Sequence, residues 1–454
     1  MPRDSTPRSL LHWSIAFGLP RRVIGRAARR GDLIARLEVE PGLRRDPFAA
    51  YDRIRADGPI VRGSVVSATA RHAVANRILR GADFGVAGGD GGLPPLLRRA
   101  VAASLDPWAA GPIDPPSLLA LDPPEHERYR RLVSRVFTPR SVARMEPRMR
   151  EVADRLLDRI EKSGRQGFDL IEDYASLLPV AVIADILGVP DDMHGPLLAW
   201  GNGAALRLDP ALTWREYRRS ERDLRAMHTW IDGHIRHLRA HPGDDLLSRL
   251  VHLDGEERLT DLELRATGLL LLGAGFETTV NLIGNAVAVL SEHPDQRAVL
   301  REEPELWGNA VEEVLRLESP VQLTLRVAGA DGEIDGARVR QGHAVLVLLG
   351  GVNRDPEVFE DPARFDVRRA NAAEHLAFSA GGHFCLGAGL ARLEATVALR
   401  ALYERFPDLT PAGAPTRRPT RVLRGFERQP VTRSPHGTRQ PVEEGDEQRL
   451  THRG

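Results

Sequence analysis

The sequence predicts a mainly α-helical protein, a single large domain with one long central helix and small β-sheets. Three observations carry this. Apolar residues recur at helical spacing through most of the chain. The longest such stretch, residues 260–291, would run about 45 Å as a helix. No Pro/Ser/Gly linker or internal repeat divides the middle of the chain. The 454 residues are 42% hydrophobic and 28% charged, enough apolar side chain for a large core and unlike a disordered, collagen-like or integral-membrane chain. Basic and acidic residues balance at 63 each, which argues against a nucleic-acid or polyanion binder. Lys162 is the only lysine, the mark of a GC-rich coding bias.

In chain order, residues 1–44 read as a basic extension. Its first 30 residues hold seven arginines against Asp4. Such a segment either adheres weakly to an anionic membrane or partner, or is a leader that lays its Trp13/Phe17 side on the domain; the second reading is preferred. A helix over 46–56 is stopped by Gly58-Pro59. A hairpin follows (60–62 and 65–68), then a helix over 69–80. Residues 81–123, rich in Gly and Pro, read as a long functional loop. Helices follow at 124–136, 141–162, 173–187, 196–206, 214–240, 244–252, 260–291, 295–302 and 305–317. Strands are expected near 325–327, 333–339 and 344–349, then an irregular stretch over 353–383 and a helix over 387–406. The main domain thus spans 45–432, and 433–454 read as a disordered tail. No apolar run reaches the roughly 20 residues a bilayer requires, so no transmembrane segment is expected and the protein is read as cytoplasmic.

The only cysteine, Cys385, excludes a disulfide framework and any multi-cysteine metal site. It lies in Phe378-Ser-Ala-Gly381-Gly-His383-Phe-Cys385-Leu-Gly387, just before a helix. There the free N–H groups and the macrodipole favour a thiolate, flanking glycines let amides approach the sulfur, and Phe378 can shield it from water. With this chain's own frequencies, F-x-x-G-x-H-x-C-x-G arises by chance on the order of 10⁻⁵ times.

This segment resembles the cysteine-ligated haem loop of the cytochrome P450 family, and other landmarks follow in order. Glu313-x-x-Arg316 resembles the pair that buttresses the loop. Asn353-Arg354-Asp355-Pro356 resembles the meander, where an arginine such as Arg354 completes that cluster; all three are structural supports. Ala274-Gly275-Phe276-Glu277-Thr278 resembles the oxygen-binding groove. Gly273 and Gly275 each cost about 1 kcal/mol against alanine inside a helix, which suggests a helix distorted so that dioxygen and water reach its carbonyls. The resemblance makes His126, Arg130, Arg326 and His383 anchors of the haem carboxylates. Ser379, where glycine is common, is a small departure.

What the resemblance implies is a haem-thiolate monooxygenase carrying haem b, with Cys385 as the iron's proximal ligand and Phe378 and Gly387 beside the cofactor. It would insert one atom of O2 into a lipophilic small molecule: steroid, fatty acid, terpene and polyketide all remain compatible. Thr278 would hydrogen-bond oxygen during activation and Glu277 would relay protons, with Ala274 and Gly275 shaping the groove. Electrons would come from an external ferredoxin and its NAD(P)H-dependent reductase, since no flavin or dinucleotide motif is present. A peroxide-driven hydroxylase and a non-catalytic haem sensor are the alternatives. Leu270, Leu271, Val321–Thr324, parts of 84–119 and Phe426 are expected to wall the pocket.

Overall fold

The central helix, Asp261–Glu292, organises the molecule. Thr260 caps it by accepting from the Glu263 N–H, and Glu263 returns a bond to the Thr260 N–H. It is apolar on nearly every side because helices surround it: Leu177–Leu187, His194–Ala205, Trp214–Ala240, Trp307–Leu317 and Ala388–Arg405 all pack against it. By length and hydropathy alone it meets the requirement for crossing a membrane, contrary to the sequence expectation, but 72% of its apolar window is buried inside the protein. Among the described residues it is the one helix to do so. The computed structural model describes residues 6–86, 95–255 and 258–433; the expected tail from 434 onward lies outside them.

The expected helices are present with shifted ends. The stretch 69–80 begins as strand Ser67–Thr69, and its helix is His72–Arg80. The stretch 141–162 is two helices, Pro139–Ala143 and Glu146–Lys162, each with a proline in its first turn. The long loop after Gly81 holds a helix, Pro95–Ser104, because Val101 and Ser104 find buried positions.

The main sheet is ordered Val61–Arg62, Ser67–Thr69, Ala344–Val347, Thr324–Ala328, Phe84–Gly85, with only the second and third strands parallel. The alternation of a strand divides its side chains between two layers. Val345 and Val347 pack with helix His72–Arg80, whereas Leu346 and Leu348 pack with helices Leu33–Val39 and Phe48–Asp57. The single strand expected over 333–339 is a hairpin of Gly332–Ile334 and Ala337–Val339. Its turn is Asp335-Gly336, both at positive φ (49° and 78°), a two-residue signal that the strand reading passed over. Short strands at the C-terminal end, Thr410–Pro411 and Pro430–Thr432 among them, also went unread. Their partners are distant in sequence: Pro430–Thr432 pairs with Gly167–Asp169.

The N-terminal stretch is helical over Thr6–Trp13, Leu19–Arg29, Leu33–Val39 and Pro41–Arg45. Its aromatic side is packed on the domain, as preferred above. Trp13 Nε1 donates to the Leu212 carbonyl at 3.0 Å, and Phe17 is buried with Leu212 and Tyr217.

Candidate functional site

The cysteine loop is built from backbone bonds. The Cys385 N–H donates to the Phe378 carbonyl at 2.9 Å and Phe384 N–H to the Gly381 carbonyl at 3.1 Å. Gly381 has φ +69°, and a Cβ there would sit 2.4 Å from the Leu79 carbonyl oxygen, so no side chain fits. Ser379 adopts φ 61°, the left-handed region that explains why glycine is common at this point. That costs about 1 kcal/mol, and Arg326 Nη2 reaches its hydroxyl at 3.4 Å. The sulfur opens onto a large cavity. Burial of its surroundings raises the thiol pKa, while the Gly387 N–H, Arg130 and Arg392 pull it down. A metal ion there would hold it as thiolate outright. The Phe378 ring lies beneath the Arg392 guanidinium, 4.6 Å from ring centre to Cζ, and shields that side.

Across the cavity stands the central helix. Ala274 is open to the cavity, and Thr278 Oγ1 donates to the Ala274 carbonyl at 3.0 Å. The helix runs through this segment without a break. Gly275 has a packing reason, since a Cβ would lie 2.9 Å from Ile183 Cγ1 of helix Leu177–Leu187. At Gly273 nothing lies within 4 Å, and the missing side chain simply widens the cavity.

Glu277 is buried beside Arg418, Oε1 to Nη1 at 2.7 Å, and Arg418 also donates to Asn202 Oδ1 at 3.0 Å. Burial raises the Glu277 pKa and Arg418 pulls it back. A second acid, missed in the sequence, is Glu394 on the helix that follows the cysteine. It lines the cavity, is buried to 1% exposure, and neither carboxyl oxygen accepts a well-formed hydrogen bond. Burial raises its pKa well above the usual range, opposed only by the Thr279 hydroxyl. The signal available was an acid inside the apolar run Leu-Glu-Ala-Thr-Val-Ala-Leu.

His126, Arg130, Arg326 and His383 all line the same cavity. The two imidazoles are 4.0 Å apart, and Arg130 Nη2 donates to the Phe384 carbonyl at 2.7 Å. Burial lowers the His383 pKa to about 4 and also depresses His126, with neighbouring cations adding to both. Arg326 is buried, its pKa lowered to about 10 by desolvation, and among the described residues it has no ion-pair partner. A buried guanidinium of this kind suits an incoming carboxylate.

Glu313 and Arg316 form a bidentate pair, 2.7 Å on both arms, with both side chains at 0% exposure. The third arginine is Arg369, whose Nε reaches Glu313 Oε1 at 3.0 Å. Arg354, expected in that role, instead donates to the Leu317 carbonyl and pairs with Glu318. Arg316 also donates to the carbonyls of Asn353, Pro362 and Arg364. It thereby ties three points of the irregular stretch to helix Trp307–Leu317.

The cavity measures about 840 Å³. Leu270, Leu271, Val321, Leu323 and Thr324 line it as expected, but Phe426 does not: it is packed in the core, and Val422 and Leu423 take its place. His12, Phe17, Val23 and Ile24 also line the cavity, so the N-terminal stretch is part of its wall.

A lone cysteine in a rigid loop, facing a helix across an apolar cavity rimmed by arginine and histidine, defines a haem-thiolate protein. The family model for cytochrome P450 matches residues 205–430. The chain belongs to the cytochrome P450 family. It is similar to a putative cytochrome P450 140 of Mycobacterium tuberculosis, 46% identical over 94% of this chain and 98% of the relative. The cytochrome P450 monooxygenase PikC of Streptomyces venezuelae is 38% identical over 85% of this chain and 91% of its own. Among solved structures, P450BioI in complex with an acyl carrier protein ligated to hexadec-9Z-enoic acid superposes with TM-score 0.80 at 36% identity, covering 87% of this chain and all of its own (100%). Myxobacterial CYP267B1 with myristic acid gives 0.78 at 34%, covering 87% and 98%. The protein is a haem-binding monooxygenase.

Proposed function

We propose that this monooxygenase oxidises a lipophilic small molecule in the cytoplasm, with electrons from a ferredoxin and its NAD(P)H-dependent reductase. The observation that carries the reading is one apolar cavity joining the Cys385 sulfur to the Ala274–Thr278 face of the central helix. Haem held there supplies oxygen activation and insertion of one oxygen atom. Cys385 ligates the iron, and His126, Arg130, Arg326 and His383 hold its carboxylates. The ferredoxin docks on the cysteine side. The structures of relatives solved with a fatty acyl chain and with myristic acid agree with an apolar substrate.

Each anchoring bond contributes roughly 1.5–3 kcal/mol. The double variant Arg130→Ala/Arg326→Ala is expected to lose haem on dilution and to melt earlier, while the haem it retains keeps a thiolate spectrum. Full haem occupancy and an unchanged melting temperature would remove these residues from the assignment.

The proton steps fall to this chain's own groups. At rest the Thr278 hydroxyl is committed to the Ala274 carbonyl, and turning its proton toward the cavity orders delivery. Glu277 recharges it by leaving Arg418, since a carboxyl whose pKa is raised by burial holds a proton more readily than an exposed one. Thr278→Ala should keep its haem spectrum and its NAD(P)H consumption, yet product per NAD(P)H should fall about tenfold or more, with hydrogen peroxide appearing instead. Wild-type coupling in that variant would refute the role. A peroxide-driven enzyme would need no such acid–alcohol pair, and a sensor would show no substrate-dependent oxygen consumption.

A further inference from the structure

The cavity has one corner that is not apolar. Arg207, in the single turn Leu206–Leu208 after helix His194–Ala205, lines the cavity and is 1% exposed. Its stem fits because residue 111 is glycine: a Cβ there would lie 3.2 Å from Arg207 Cβ and Cγ. Its guanidinium lies 4.2 Å from the Tyr217 ring centre and 5.5 Å from that of Phe17, so the N-terminal stretch closes this corner. Nε donates to Ser220 Oγ at 3.1 Å. Nη1 and Nη2 are buried and, among the described residues, make no well-formed hydrogen bond and pair with no carboxylate.

The acids nearby are engaged elsewhere. Glu221 is bonded by Ser9, Arg218 and Arg225. Asp209 accepts the Arg421 and Val422 N–H groups. Asp114, which shares the corner, accepts the Gly111 N–H at 2.7 Å. Burial and Arg207 itself hold the His12 pKa down, and an imidazole carries no negative charge in either form. A guanidinium does not deprotonate, and leaving it buried without a direct ion pair is costly. Tyr217, whose pKa burial pushes up to about 12 against the pull of Arg207, stands beside it.

We propose that Arg207 anchors the substrate by a carboxylate: the substrate is an amphipathic carboxylic acid, its head on Nη1 and Nη2 and its apolar body running through the cavity to Thr278. This rests on the monooxygenase reading above and names its substrate class. The N–H groups on Nη1 and Nη2 match the two oxygens of a carboxylate in a forked pair.

The test is equilibrium dialysis of the holoenzyme with straight-chain acids from octanoic to octadecanoic and with abietic acid, each beside its alcohol and its methyl ester. At neutral pH at least one acid should bind about ten- to a hundredfold tighter than its alcohol, as a charge-assisted hydrogen bond implies. Arg207→Gln should abolish that preference and leave alcohol affinity within about twofold. No acid exceeding its alcohol in the wild type overturns the proposal without any variant, and so does a preference that survives Arg207→Gln. If Arg207→Gln does not fold, Arg207→Lys replaces it: a single charged donor should lower the preference for acids, and an undiminished one overturns the forked pairing. The reduced carbon-monoxide spectrum of the same preparation reports thiolate-ligated haem separately. Its loss would sink the monooxygenase reading while leaving the acid preference to stand or fall alone.

Discussion

Cys385→Ala is expected to abolish the reduced carbon-monoxide spectrum of thiolate-ligated haem and all substrate turnover, the largest functional effect of any single change in this protein. The chain has no second cysteine to substitute for it. The loop itself should survive, because its shape depends on backbone bonds such as Cys385 N–H to the Phe378 carbonyl and on Gly381, not on the sulfur. Circular dichroism should therefore show native helix content in a protein with weakened or lost haem. A persistent thiolate spectrum in Cys385→Ala would refute the assignment of the iron ligand, and with it the placement of the oxygen site opposite.

The largest loss of stability is expected for Glu313→Ala. The carboxylate accepts from Arg316 on two arms, from Arg369 and from the Asp366 N–H, all in a place water does not reach. Removing it strands the guanidinium of Arg316, which is 0% exposed, and breaking a buried pair from one side costs about 3–5 kcal/mol. For a domain of this size that is a large share of its total stability. Thermal melts should show a drop of many degrees, with poor haem incorporation. Glu313→Gln should fall between, since the amide keeps the shape and loses the charge. Near-native melting of Glu313→Ala would mean that the cluster does not hold the irregular stretch in place.

The landmarks that were legible are those whose parts sit close together along the chain. The cysteine loop, Glu313-x-x-Arg316 and Ala274 through Thr278 each occupy one turn or one loop, where spacing alone places side chains on a common face. The same local logic falls short where two causes give one pattern. Gly275 suggested a distorted helix, and close packing on Ile183 asks for the same residue. Arg354 follows the Glu–Arg helix as expected, but Arg369, fifteen residues further on, is the one that reaches Glu313.

The sequence by itself determined the fold class, the order of nearly all helices, the one possible thiolate and the acid–alcohol pair, because helical periodicity and short motifs are properties of neighbouring residues. Only the tertiary structure decided which charges face each other. It paired Glu277 with Arg418, left Glu394 buried beside Thr279, moved Phe426 into the core and brought the N-terminal stretch over the cavity with Phe17 beside Arg207. The physical reason is that burial and ion pairing join groups separated by tens to hundreds of residues. Nothing in the local pattern of an arginine shows whether its charge will meet water, a carboxylate or an apolar cavity waiting for one.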